Sequence, residues 1–169
     1  MNWREIFSNG IFIFLGIIAG TAVNALTQVF FARKNRKKQL RNLKFEIEMN
    51  IKKIDKWLEG INEYRNAVNS DALNVFYTYF DFSKFITVTA VSMFQNGTLY
   101  NYLDHEDIGD LQVIFNDFSL VGENIINNQI IQNKSNFNKT TAISNVNYWE
   151  KTIKSHKVKL REILSRLPK

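Results

Sequence analysis

IFSNGIFIFLGIIAGTAVNALTQVFFARKNRKK, residues 6–38, decides how the rest of the chain is read. From Ile6 to Ala32 there is no charged residue, and at about 1.5 Å per residue the run is long enough for a hydrocarbon core of roughly 30 Å. A cleavable signal peptide is the rival reading, with Arg4 as its basic end, Ile11 to Ile18 as its apolar centre and Val23-Asn24-Ala25 as the cleavage site. Two features count against it. The uncharged run continues through Val29-Phe30-Phe31, and a dense basic block follows where a translocated chain would be hindered. Arg33, Lys34, Arg36, Lys37 and Lys38 read instead as a stop-transfer and positive-inside signal, because the amino side offers only Arg4 beside Glu5. At an anionic bilayer surface each basic residue of that block contributes about 1 kcal/mol. The expectation is a single-pass membrane protein with a cytoplasmic C-terminal domain and the lipid bilayer as its first partner.

The apolar run is two-faced. At 100° per residue, Asn9, Gly10, Gly16, Gly20, Thr21, Asn24, Thr27 and Gln28 fall on one side of a helix, interrupted by Ile6, Ile13, Ile17 and Phe31. Phe12, Phe14, Leu15, Ile18, Leu26, Val29 and Phe30 lie opposite. Amides cost free energy in hydrocarbon unless hydrogen-bonded, so Asn24 and Gln28 call for another helix or an aqueous lumen. Gly16 and Gly20 form a G-x-x-x-G, whose missing side chains permit close helix contact. An ordinary anchor with a few tolerated polar residues is the plainer alternative.

Beyond the basic block, Leu40, Leu43, Ile47, Ile51, Ile54, Leu58 and Ile61 repeat at spacings of three and four, predicting a helix to about Val68 that can continue unbroken from the span. Such a stripe serves either an oligomeric stalk or, more commonly, packing on its own domain. Asn69-Ser70-Asp71 resembles an N-cap after a break. Leu73 to Phe94 is crowded with aromatics and is expected to be helical, since the alternating run Ile86 to Val91 has no second strand to pair with. Asn96-Gly97 marks a turn, Ile108 to about Gln132 one long amphipathic helix, and Lys134 to Thr141 a polar loop. A final helix should stop before Pro168. The fold class is therefore all-α: one N-terminal transmembrane helix continuing into a small cytoplasmic helical bundle. The expected division is 1–32 for tail and span, 33–44 for the basic juxtamembrane segment and 45–169 for the helical domain.

Composition excludes more than it proposes. With no cysteine among 169 residues there is no disulfide framework and no thiolate chemistry. The net charge of +6 is localised: residues 33–44 hold seven basic residues and no acidic one, residues 151–169 hold seven against Glu162, and residues 45–150 hold seven basic against fourteen acidic. That pattern lacks the broad basic footprint of a nucleic-acid binder, so nucleic acid is not an expected partner. The run Asp104-His105-Glu106-Asp107 with Asp110 lacks a spaced second ligand set, and acids in a first helical turn are favoured by the helix dipole alone. Neither a metal nor a cofactor is called for. No P-loop, G-x-S-x-G or H-E-x-x-H is present, and two histidines leave little acid–base chemistry.

One spacing on the final helix remains. Lys151 and His156 stand five apart, where helical RNases of the HEPN type place Arg followed by His. Lysine in the first position loses bidentate phosphate recognition, and a surface Lys and His on a basic helix is the commoner meaning of this spacing. Taken with the single span, the basic block and the helical domain, the layout resembles the small membrane accessory proteins of type VI-B CRISPR systems. The resemblance implies a ring-like homo-oligomeric pore in a bacterial inner membrane, with Asn24 and Gln28 near the lumen. It also implies a functional link to an RNA-guided, RNA-targeting effector in antiviral defence. A membrane-tethered binding module and a membrane-anchored HEPN-like RNase stay open beside it.

Overall fold

The structure, a computed structural model, describes residues 3–76 and 79–168, with side chains from residue 14 onward except 77 and 78. Among the described residues there is no strand. Five α-helices account for the regular structure: α1 (Trp3–Asn69), α2 (Val88–Gln95), α3 (His105–Asp117), α4 (Leu120–Ser135) and α5 (Lys139–Arg166). Short 3-10 turns at Leu73–Val75 and Thr98–Asn101 join them. The chain divides into two compact units, Met1–Leu40 and Arg41–Lys169.

In the first unit, every side chain from Phe14 to Lys38 is exposed. Leu26 is 71% exposed and Phe30 63%, so within this unit no described residue covers the apolar face. This is the one described helix long and apolar enough to cross a membrane, with a mean hydropathy of 1.6 in its best window.

The second unit is built on the stripe read from the sequence. Leu43, Ile47, Ile54, Ile61 and Val68 of α1 are buried, each within 2% of full burial. They share the core with Leu111 and Ile114 of α3, Ile130 of α4 and Val146, Ile153, Leu160 and Ile163 of α5. Ion pairs tie the helices together at the rim of this core. Lys157 pairs with Asp55, Lys159 with Asp110, Arg166 with Asp107 and Arg65 with Glu150. In three of these four pairs an acid from the middle of the sequence meets a cation of the final helix, and Lys157, Lys159 and Arg166 are neutralised within the fold. Glu150, held by Arg65 and Lys154, has its carboxyl lowered to about 2 from an ordinary 4.5.

Four expectations are corrected. Asn69-Ser70-Asp71 closes α1 rather than opening a helix. Asp71 is left-handed at φ 54°, the Ala72 N–H reaches the Ala67 carbonyl at 2.9 Å, and the Asp71 N–H reaches Val68 at 3.4 Å. This is a Schellman closure, with a short polar residue in place of the usual glycine.

Leu73 to Phe94 is not one helix. Among the described residues its centre, 79–87, is non-helical with a turn at Ser83-Lys84, and Phe76, Phe80, Phe82 and Phe85 are buried. Side chains from the helices supply the backbone partners a neighbouring strand would give. Asn50 receives the Ile86 N–H at 2.8 Å and donates to the Ile86 carbonyl at 2.6 Å. Asn127 does the same for Phe80 at 3.0 and 2.8 Å, and Glu123 accepts the Phe82 N–H at 2.6 Å. Glu46, 3% exposed, caps α2 from a distance, accepting the Thr89 and Ala90 N–H groups at 2.7 and 3.1 Å. Burial nevertheless raises its carboxyl above the usual range, with those two N–H groups opposing the shift.

The long helix expected from Ile108 to Gln132 breaks between α3 and α4. Ser119 caps the second piece, accepting the Val121 N–H. Gly122 sits so close to the turn that an added Cβ would lie 1.9 Å from the Asp117 carbonyl oxygen. The polar loop expected at Lys134 to Thr141 shrinks to the few residues between Ser135 and Lys139, where Asn138 caps α5 by accepting the Thr141 N–H at 3.0 Å.

Candidate functional site

The polar side of the N-terminal helix is the first candidate. Its hydroxyls are satisfied locally: Thr21 donates to the Ile17 and Ile18 carbonyls at 3.0 and 2.9 Å, and Thr27 to Val23 at 2.8 Å. Its amides are not. Gln28 donates to the Asn24 carbonyl oxygen at 3.4 Å, and this is their only side-chain hydrogen bond among the described residues. Two primary amides offer four N–H donors and two acceptor oxygens, so most of this capacity is unused. One turn and two turns earlier, Gly20 and Gly16 leave open surface, with nothing within 4 Å of an added Cβ. Asn9 lies outside the residues whose side chains are described. Arg33, Lys34, Arg36, Lys37 and Lys38 are all exposed, and none has a carboxylate partner among the described residues.

The second candidate, Lys151 with His156, is not assembled. Five residues on an α-helix turn about 140°, and the two side chains face different environments. Lys151 is exposed, whereas His156 is 7% exposed. The imidazole donates from Nε2 to the Asp117 carboxylate at 2.8 Å and stands edge-on to Phe118 at 5.6 Å between centroids. Its Nδ1 is buried without a partner. The fold therefore couples His156 to an acid at the end of α3, not to a cation on its own helix.

Asp117 and His156 line a cleft of about 140 Å³ between α4 and α5, walled by Gln129, Tyr148, Trp149 and Thr152. Trp149 is fixed there by its indole N–H, which donates to Gln129 at 2.8 Å. The residues that complete this cleft are far apart in sequence and carry no motif; the only local signal was Gly122, an interruption inside an apolar repeat. Asp104, Asp107 and Asp110 have structural duties. Asp104 caps α3 at 2.8 Å, Asp107 pairs with Arg166 at 2.5 Å and Asp110 with Lys159. Burial raises the Asp107 carboxyl, with Arg166 opposing.

The sequence matches no protein-family model, and neither curated proteins nor solved structures give a significant match.

Proposed function

We propose that the chain is a single-pass membrane protein that self-associates through the polar side of its N-terminal helix into a ring-like pore. The pore depolarises a bacterial inner membrane in antiviral defence, with Arg41–Lys169 on the cytoplasmic side. The observation that carries this reading is the contrast along one helix face: Thr21 and Thr27 satisfy themselves on their own backbone, while Asn24 and Gln28 share one long hydrogen bond. At membrane depth the unused amide groups need water or a second copy, and a ring supplies both. Interhelical hydrogen bonds of this kind contribute about 1 kcal/mol each, so several copies reinforce one another.

Three further features support it. The apolar side chains from Phe14 to Phe31 are exposed, which suits lipid. The exposed basic block directly after it fits the positive-inside rule. The layout resembles the type VI-B accessory proteins, which supports a place beside an RNA-guided RNA-cleaving effector. An anchored RNase draws less support, since Lys151 and His156 do not converge.

The test is leakage from vesicles carrying the full chain. Asn24→Leu with Gln28→Leu should abolish leakage while membrane insertion stays intact, because a more apolar helix inserts at least as well. Normal leakage from that variant, together with RNA cleavage by the wild-type protein, would assign the activity to the helical domain instead.

A further inference from the structure

The Arg41–Lys169 unit pairs many of its cations with acids across helices, yet it gathers four lysines around one cleft. Lys52, Lys53 and Lys56 come from α1 and Lys84 from the turn ahead of α2, lining a space of about 430 Å³ together with Trp57 and Tyr79. Lys52, Lys53 and Lys56 have no carboxylate partner among the described residues; Lys84 pairs with Asp81 at 3.3 Å. Asp81 is the one acid lining the cleft, and it is further engaged by the Ser83 hydroxyl at 2.5 Å. Four ammonium groups therefore face one carboxylate. The crowding is felt: partial burial and the charge of Lys84 both lower the Lys53 ammonium from its ordinary value. A fold that keeps such repulsion gains most when an anion enters.

The aromatic wall narrows the choice of anion. Trp57 is braced by Phe82 and Phe118, with centroids 4.6 and 4.8 Å away, and its indole N–H has no acceptor among the described residues. Tyr79 is 48% exposed at the cleft. A volume of this size lies within the range of small-ligand sites, and a π-face beside clustered cations suits a planar base carrying phosphates.

We propose that this cleft binds a nucleoside polyphosphate, with phosphates on Lys52, Lys53, Lys56 and Lys84 and the base against Tyr79 and Trp57. Such a site gives the cytoplasmic unit a ligand-sensing role, and it stands whether or not the N-terminal helix forms a pore. Sequence position hides it, because the lysines and aromatics lie on segments some thirty residues apart and only the fold interleaves them.

The experiment is calorimetric titration of the detergent-solubilised full chain with ATP, inorganic tripolyphosphate and adenosine in parallel. Saturable ATP binding is expected, tighter than that of either fragment. Lys53→Gln with Lys84→Gln should weaken ATP and tripolyphosphate by about tenfold or more, as loss of charge-assisted contacts requires. Tyr79→Ala should weaken ATP while leaving tripolyphosphate unchanged. Tyr79 and Lys84 are exposed and Lys53 is half-buried, and an unchanged melting temperature verifies the fold of each variant. No saturable ATP binding, binding unmoved by the lysine changes, or ATP no tighter than tripolyphosphate overturns the proposal.

Discussion

Asn50→Leu isolates the device that lets a helical domain carry a non-helical, aromatic-rich segment. Asn50 is 1% exposed and makes two hydrogen bonds to one residue, 2.8 Å from the Ile86 N–H and 2.6 Å to its carbonyl. Leucine has the same number of side-chain heavy atoms and is the bulkier residue, so no cavity opens and the change reads the lost polar pairing, with any overpacking adding to the loss. Two lost hydrogen bonds account for about 2 kcal/mol, and leaving the Ile86 backbone groups without partners adds about 1–2 more, since Ile86 is only half-buried. A total of about 3–4 kcal/mol corresponds to a fall in melting temperature on the order of 10 °C for a chain of this size. Thermal unfolding of the detergent-solubilised full chain, followed by near-ultraviolet circular dichroism, reads this directly because the buried rings report on the segment. Asn50→Asp keeps the acceptor for the Ile86 N–H but sets a carboxylate against the Ile86 carbonyl, so it should be at least as damaging. A shift below about 2 °C for Asn50→Leu would refute the clamp as a source of stability.

Gly122→Ala should destabilise by about 1–3 kcal/mol in the same melt, since its Cβ must displace the Asp117 carbonyl, whereas Gly109→Ala, where a Cβ meets nothing, should not. Two carboxylates should shape the pH profile in opposite senses. The stabilisation from Glu150 is complete above the ordinary 4.5 and is lost as pH falls toward about 2, so Glu150→Gln should flatten the acid limb. Glu46, whose folded value is raised, stabilises fully below its ordinary 4.5 and loses that contribution as pH rises through the folded value, a loss that Glu46→Gln should remove. Replacing Gly16 and Gly20 by Leu should shift the extracted protein toward smaller particles in size-exclusion chromatography, by blocking close backbone contact. A reporter fused after Lys169 should be active only in the cytoplasm.

Periodicity made much of this fold legible, and the places where it failed share a cause. The apolar stripe from Leu43 to Val68 predicted the second half of α1 because burial there follows the helix repeat, fully at Leu43, Ile47, Ile54, Ile61 and Val68 and in part at Ile51 and Leu58. The turn at Asn96-Gly97, with Gly97 at φ 74°, and the stop of α5 before Pro168 rest on local backbone chemistry that sequence carries openly. The non-helical segment was not legible, because Asn50, Glu46 and Asn127 hold it across separations of 36 to 47 residues. The break at Ser119 was masked because the apolar repeat runs on through Phe118 and Val121 while the chain bends. For the sites, the two faces of the N-terminal helix could be read from residue order alone. His156 could not be placed: its partner is Asp117, and Lys151, five residues away, suggested a chemistry that the fold does not assemble.

The mass of the detergent-extracted particle tests the central claim most directly. Self-association through Gly16, Gly20, Asn24 and Gln28 predicts, by native mass spectrometry, a discrete assembly of several 19.8 kDa chains that disperses when both amides become leucine. A particle containing one chain, under mild extraction and at concentrations where vesicles leak, would contradict it.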